Sequence, residues 1–192
     1  MALPDSLKIV VGTDIVLADT TDHPPSAANI IGVRTDQIDC TDLVAGAARQ
    51  SAKFDFGTNM DAEYVFSAAI EWEVTPEIAA GEVVDFYMGY SVSAVDGTAN
   101  PGGLSGSDAA YTGYGAGGLA ASLKQLVFIG SMIMDNVITT DQTQIQMGIA
   151  TFRPRHQHGM LVVVNNAASA AFHSDMVETT FLIQPLVHQA QD

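Results

Sequence analysis

Residues Tyr64–Val74 read YVFSAAIEWEV, and the reading of this stretch decides the fold. Its second half alternates, with Ile70, Trp72 and Val74 on one side and Glu71 and Glu73 on the other. Successive side chains of an extended chain point to opposite faces, so the pattern predicts a strand with one apolar face and one wet face. Glu71 and Glu73 are expected in solvent, not as an acid/base pair.

The same period recurs on both sides of this segment. Upstream, Lys8–Leu17 (KIVVGTDIVL) is rich in β-branched residues, and Lys53–Phe56 sets Phe54 and Phe56 on one face. Downstream come Val83–Ser91 (VVDFYMGYS), Leu126–Met134 (LVFIGSMIM), Thr143–Phe152 (TQIQMGIATF), Gly159–Val164 and Glu178–Leu186 (ETTFLIQPL). In Thr143–Phe152, Ile145, Met147 and Ile149 are expected to face inward, and Gln144 and Gln146 outward. Turn residues such as Asn165-Asn166 separate the runs. The helix candidate is Asp42–Gln50, capped by Thr41 or Asp42 and interrupted by Gly46.

Eight short strands without long intervening helices exclude a parallel α/β sheet. They predict an all-β, antiparallel β-sandwich, jelly-roll-like, with an immunoglobulin-like sandwich or a barrel as alternatives of similar strand count. The chain's 192 residues suit a single domain, 1–192. A domain of this length buries roughly 70% of its extended-chain surface and needs no staples.

Two stretches break the rhythm. Asp19–Asn29 carries Pro24 and Pro25, a surface excursion. Residues 94–121 (AVDGTANPGGLSGSDAAYTGYGAGGLAA) hold eight of the seventeen glycines and read as a long loop insertion. Loops beyond about 12–15 residues are commonly functional. Tyr111 and Tyr114 within it are candidate contact residues, since a tyrosine offers a large apolar area with a polar tip.

Charge narrows the choice of partner. Seven Lys and Arg face 22 Asp and Glu, for a net charge of −15. Nucleic-acid binding needs a basic face that displaces counterions, and three lysines with four arginines cannot assemble a large one. An anionic membrane repels such a chain. No segment of about 20 apolar residues is present. One cysteine, Cys40, excludes an internal disulfide and a Cys-rich zinc site. No basic and then apolar leader pattern opens the sequence, so synthesis and folding in a reducing cytoplasm are expected.

Catalytic patterns are weak. His156-Gln157-His158 would put two imidazoles on one strand face, as in a cupin-like metal site, but no carboxylate follows in Gly159–Val163. An exposed polar turn flanked by Arg153 and Arg155 is the simpler expectation. His173-Ser174-Asp175 contains triad residue types, yet they are adjacent in sequence, whereas triads converge from separate segments. No Gly-x-Ser-x-Gly elbow and no Walker pattern occurs. Asp96, Asn100 and Asp108 match no calcium-loop spacing. No enzyme activity, metal or cofactor is expected.

A set of segments is nevertheless familiar: Ala48-Arg49-Gln50-Ser51-Ala52-Lys53, Asp85-Phe86-Tyr87, Thr98-Ala99-Asn100-Pro101-Gly102-Gly103, Gly106–Tyr114 (GSDAAYTGY), Leu126–Gly130 (LVFIG) and Leu161–Asn165 (LVVVN). As a pattern over about residues 30–186, this series resembles virion structural proteins of tailed bacteriophages. Within that group it is most like the capsid decoration, or cement, proteins. The resemblance implies a particle component made in the bacterial cytoplasm and located in the virion. It implies binding to the major capsid protein or other virion proteins on the head exterior, as a homo-oligomer with a trimer favoured. The alternative is a tail or fibre component that binds a receptor or glycan. Tyr111, Tyr114, Pro24, Pro25, Arg153 and Arg155 are the candidate contact residues.

Overall fold

A computed structural model describes residues 14–23, 32–58, 62–135 and 143–186. Pro24 and Pro25, and the part of Lys8–Leu17 before residue 14, lie outside the described residues.

Every strand must pair its backbone N–H and C=O groups, and the pairing sorts the described strands into two sheets. The strands are β1 (Ile15–Ala18), β2 (Asp36–Gln37), β3 (Ala48–Gln50), β4 (Phe54–Asp55), β5 (Tyr64–Glu71), β6 (Val83–Ser91), β7 (Ala109–Ala110), β8 (Val127–Ile133), β9 (Thr143–Phe152), β10 (His158–Asn165) and β11 (Thr180–Pro185). The first sheet runs β2-β1-β11-β5-β9 and the second β7-β3-β10-β6-β8, with β4 also pairing β10. The pairs are antiparallel except β1 with β2. The chain is therefore an all-β sandwich.

The alternation in the sequence explains what lies between the sheets. Phe66 and Ile70 of β5 meet Phe86 and Met88 of β6, with Leu17, Phe181, Leu161 and Val163 in the same core. Phe86 packs edge-to-face on Phe66 at 4.7 Å and on Phe181 at 5.9 Å. Each such fully buried side chain stabilises the fold by about 1.5–3 kcal/mol. Trp72 continues the inward series one residue past β5 and stacks edge-to-face on Phe172 at 4.9 Å.

A second core lies on the outer side of the second sheet. Met160, Val162 and Val164 of β10 turn away from the first core and are covered by Leu104 and Tyr111, with Leu119, Leu123 and Leu126 beside them. The segment expected to be a long loop is thus a folded roof. It contains a 3-10 turn (Pro101–Gly103), β7, a second 3-10 turn (Gly115–Gly117) and the short helix α1 (Gly118–Leu123). Its glycines serve close packing. Gly113 has φ +78°, and a Cβ there would sit 2.4 Å from the Gly118 carbonyl oxygen. Asp108 ties the roof down by accepting hydrogen bonds from Arg49 Nε at 2.7 Å, Gln37 Nε2 at 3.1 Å and the Asp39 N–H at 3.2 Å.

Two local expectations are corrected. Asp42–Gln50 is not a helix. Asp42 (φ 52°) and Gly46 (φ 77°) take left-handed conformations, the Leu43 and Ala47 N–H groups close tight turns onto Cys40 and Val44, and Ala48–Gln50 is β3. The phase of β9 is also the opposite of that expected at Ile145 and Met147. Gln144 pairs with Ile70 and Gln146 with Ala68, both core-facing, so Ile145 and Met147 point outward and are 50% and 62% exposed. The register shifts between Phe66 and Ala68, and Gly148 opposite takes φ +70°, with its N–H bonded to Ser67 Oγ at 3.0 Å. Met147, Gly148 and Ile149 lie opposite Ser67 alone, so this bulge adds two residues to β9 and leaves the alternation in phase on either side of it. Beyond Gly148, Ile149 packs against the core as expected, and Phe152 joins it.

Candidate functional site

The edge strands β8 and β9 lie side by side. Gly130 of β8 sits so close to Ile149 of β9 that a Cβ would come within 3.0 Å of the Ile149 side chain. Around this seam Phe128 (53% exposed) and Ile133 (68%) project from the outer face of the second sheet. Ile145 and Met147 project from the outer face of the first. No charged residue occurs in Val127–Met134 or in Thr143–Phe152, in a chain of net charge −15. Natural edge strands are usually guarded by charges or proline, and a bare apolar edge marks an interaction surface. Near the seam, Tyr87 packs edge-to-face on Phe128 at 5.3 Å. The two rings join Ala120, Leu123, Lys124 and Leu126 around a surface depression of about 440 Å³.

Sequence reasoning missed this surface. Ile145 and Met147 read as core residues because alternation marks the apolar face as the buried one, whereas in β9 that face is turned outward. The absence of charge was visible, but it is equally the mark of a buried strand.

A titratable cluster lies at the C-terminal end of β5. Glu71 is buried, 4% exposed, and not solvated as its place in the alternation suggests. The cause is the segment after β10. Phe172 bridges Trp72, and the His173 N–H donates to the Glu71 carbonyl at 3.0 Å, which folds this segment over the end of β5. One ligating atom each from Glu71, His173 and Asp175 then falls within 4.8 Å of the others. His173 Nδ1 is 3.2 Å from Asp175 Oδ1, and Glu73 Oε1 accepts the Ser174 N–H at 2.8 Å. Burial alone would push the imidazolium's pKa down, but the charges of Glu71, Asp175 and Glu73 outweigh it and hold the value above the ordinary one.

The expected contact residues divide. Tyr111 is 2% exposed and belongs to the second core, a correction to its place as a contact residue. Its hydroxyl donates to the Gly102 carbonyl at 2.6 Å, so its polar tip is satisfied inside the chain. Tyr114 is 76% exposed and stands at a cleft of about 440 Å³ lined by Asn100, Gly102, Gly103 and Gln125. Arg153 is exposed and pairs with Glu63 at 2.9 Å. Arg155 is exposed beside Tyr90, Gln125 and His156. Pro24 and Pro25 fall outside the described residues.

His156 is exposed in a bend, while His158 opens β10 and is buried. They do not share a strand face, and among the described residues neither belongs to a cluster of three metal-ligating groups. Lys53 sits where its Nζ donates to the carbonyls of Val95 (2.8 Å), Ser93 (2.9 Å) and Thr98 (3.3 Å) and to Ser91 Oγ (3.3 Å). This ammonium holds the turn that leads into the roof. Among the described residues no helix is long and apolar enough to cross a membrane. No family model, no curated protein and no solved structure matches the chain.

Proposed function

We propose that this chain is a structural protein of a tailed-phage virion, most like a capsid decoration protein. It acts by binding and not by catalysis, and self-associates through the β8–β9 seam before seating on the head exterior. The observation that carries the reading is the charge-free seam with Phe128, Ile133, Ile145 and Met147 exposed. Two copies of a strongly acidic chain repel each other, and they approach at least cost along strands that carry no acids of their own. A closed ring of such contacts around a symmetry axis is the usual outcome of repeated identical association.

The strand order supports a jelly roll. Eight strands, β1, β3, β5, β6, β8, β9, β10 and β11, taken in chain order as one to eight, lie as 1-8-3-6 in one sheet and 2-7-4-5 in the other. That order is two interleaved Greek keys, an architecture used by viral shell proteins and also by lectins and cupins. Fold alone does not assign function, so the seam and the resemblance of the sequence carry the proposal. The test is to mix purified protein with particles stripped of it. Rebinding to heads, seen by electron microscopy, supports the reading, and labelling of tails or of nothing removes it.

A second reading has its own observation. Tyr114 stands exposed at a cleft lined by the side-chain amides of Asn100 and Gln125, the residue types that stack on and hydrogen-bond to a sugar. A tail component that binds glycan would use this cleft. Glycan-array binding that disappears in Tyr114→Ala would favour it over the head-binding role.

A further inference from the structure

The cluster at the end of β5 is not used by the function proposed above, and its chemistry is specific. A borderline divalent ion binds nitrogen and oxygen ligands at about 2.0–2.2 Å, which spaces the ligand atoms about 3–4.5 Å apart. Glu71, His173 and Asp175 bring their ligating atoms within 4.8 Å of one another without any change of backbone. Their backbones are already fixed. The Trp72–Phe172 bridge and the His173 N–H bond to the Glu71 carbonyl hold the two segments in register. Glu73 adds a further tether through Ser174 at 2.8 Å.

Charge argues in the same direction. Two carboxylates, those of Glu71 and Asp175, share the cluster with one imidazole. Glu71 is buried, so its carboxylate is held in place at the end of β5. Two carboxylates with a neutral imidazole carry the two negative charges that match a dication. The imidazole selects against magnesium and calcium, which prefer all-oxygen shells, and in favour of zinc.

We propose that Glu71, His173 and Asp175 form a binding site for one zinc-class divalent cation, which clips the segment carrying Phe172–Asp175 onto the end of β5. The ion's role is to stabilise the fold at that end of the sandwich. Trp72 is the chain's single tryptophan and lies next to Glu71, so it reports on the site directly.

The test uses the full chain dialysed against a chelator and titrated with zinc chloride by calorimetry, with thermal unfolding followed by Trp72 emission. One equivalent should bind. At about a hundredfold excess over Kd, the unfolding midpoint should rise by about 5–10 °C. His173→Gln and Asp175→Asn should each weaken binding at least tenfold, and Asp175 is exposed enough for its variant to fold. Calcium should give no comparable shift. Absence of one-to-one binding overturns the proposal. So does zinc binding that both variants leave unchanged, or an equal shift with calcium, since either would be generic association with surface acids.

Discussion

The Tyr111 hydroxyl donates to the Gly102 carbonyl at 2.6 Å, joining two turns of the glycine-rich segment across the top of the second core. This bond explains why the segment is a roof. A ring buried against Met160, Val162 and Val164 needs a partner for its polar tip, and the left-handed Gly102 (φ 61°) turns its carbonyl toward it.

Tyr111→Phe should therefore destabilise the protein by about 1–2 kcal/mol, the usual result when a buried acceptor loses its donor. Tyr111→Ala should cost about 3–5 kcal/mol through the cavity it leaves. Tyr114→Ala, at an exposed position, should stay within about 0.5 kcal/mol. Urea unfolding followed by Trp72 emission separates the three. Equal costs at positions 111 and 114 would contradict the placement of the two rings.

Gly148 lies at the centre of the bulge in β9. In a regular strand, valine in place of glycine stabilises. At φ +70° a β-branched side chain is strained, so Gly148→Val should cost at least about 1–2 kcal/mol. A variant as stable as the wild type would mean that position 148 does not hold the left-handed conformation and that the strand is regular there.

Alkaline pH should weaken the fold. Burial raises the Cys40 thiol well above its ordinary value of 9.0, and it also raises the hydroxyls of Tyr64, Tyr87, Tyr90 and Tyr111 above 10.0. The folded chain keeps these protons while the unfolded chain releases them. The stability they contribute is thus present below about pH 9 and is lost as pH rises beyond it. Urea midpoints should fall between pH 8 and pH 10.5, and Cys40 should resist thiol reagents until the chain unfolds. A midpoint that rises over this interval would contradict the burial of these groups.

Much of the sandwich was legible because its strands carry period-two patterns strong enough to fix both position and face. Ile70 and Trp72 in β5 and Phe54 with Phe56 around β4 are core residues, as the spacing implied. What escaped the sequence depended on contacts between distant segments. Glu71 and His173 are about a hundred positions apart, and the Trp72–Phe172 bridge and the His173 N–H bond to the Glu71 carbonyl bring them together. Glu71 looked solvated because alternation specifies a face but not what covers it. Tyr111 and Tyr114 are alike in composition and neighbourhood, and the turn at Gly113 decides which is buried. β3 was hidden by a helix-like composition that the left-handed turns at Asp42 and Gly46 override.

The most direct test of the seam as a docking surface is the solution mass by sedimentation equilibrium, for wild type and for Phe128→Asp combined with Met147→Asp. Both positions are exposed, so the double variant should still fold, losing about 0.5–1.5 kcal/mol with the Phe128–Tyr87 ring contact. The account predicts a wild-type mass above that of one chain, with three chains expected, and a monomeric variant. A wild type that stays monomeric at high concentration, or a variant that keeps the same oligomer, would contradict it.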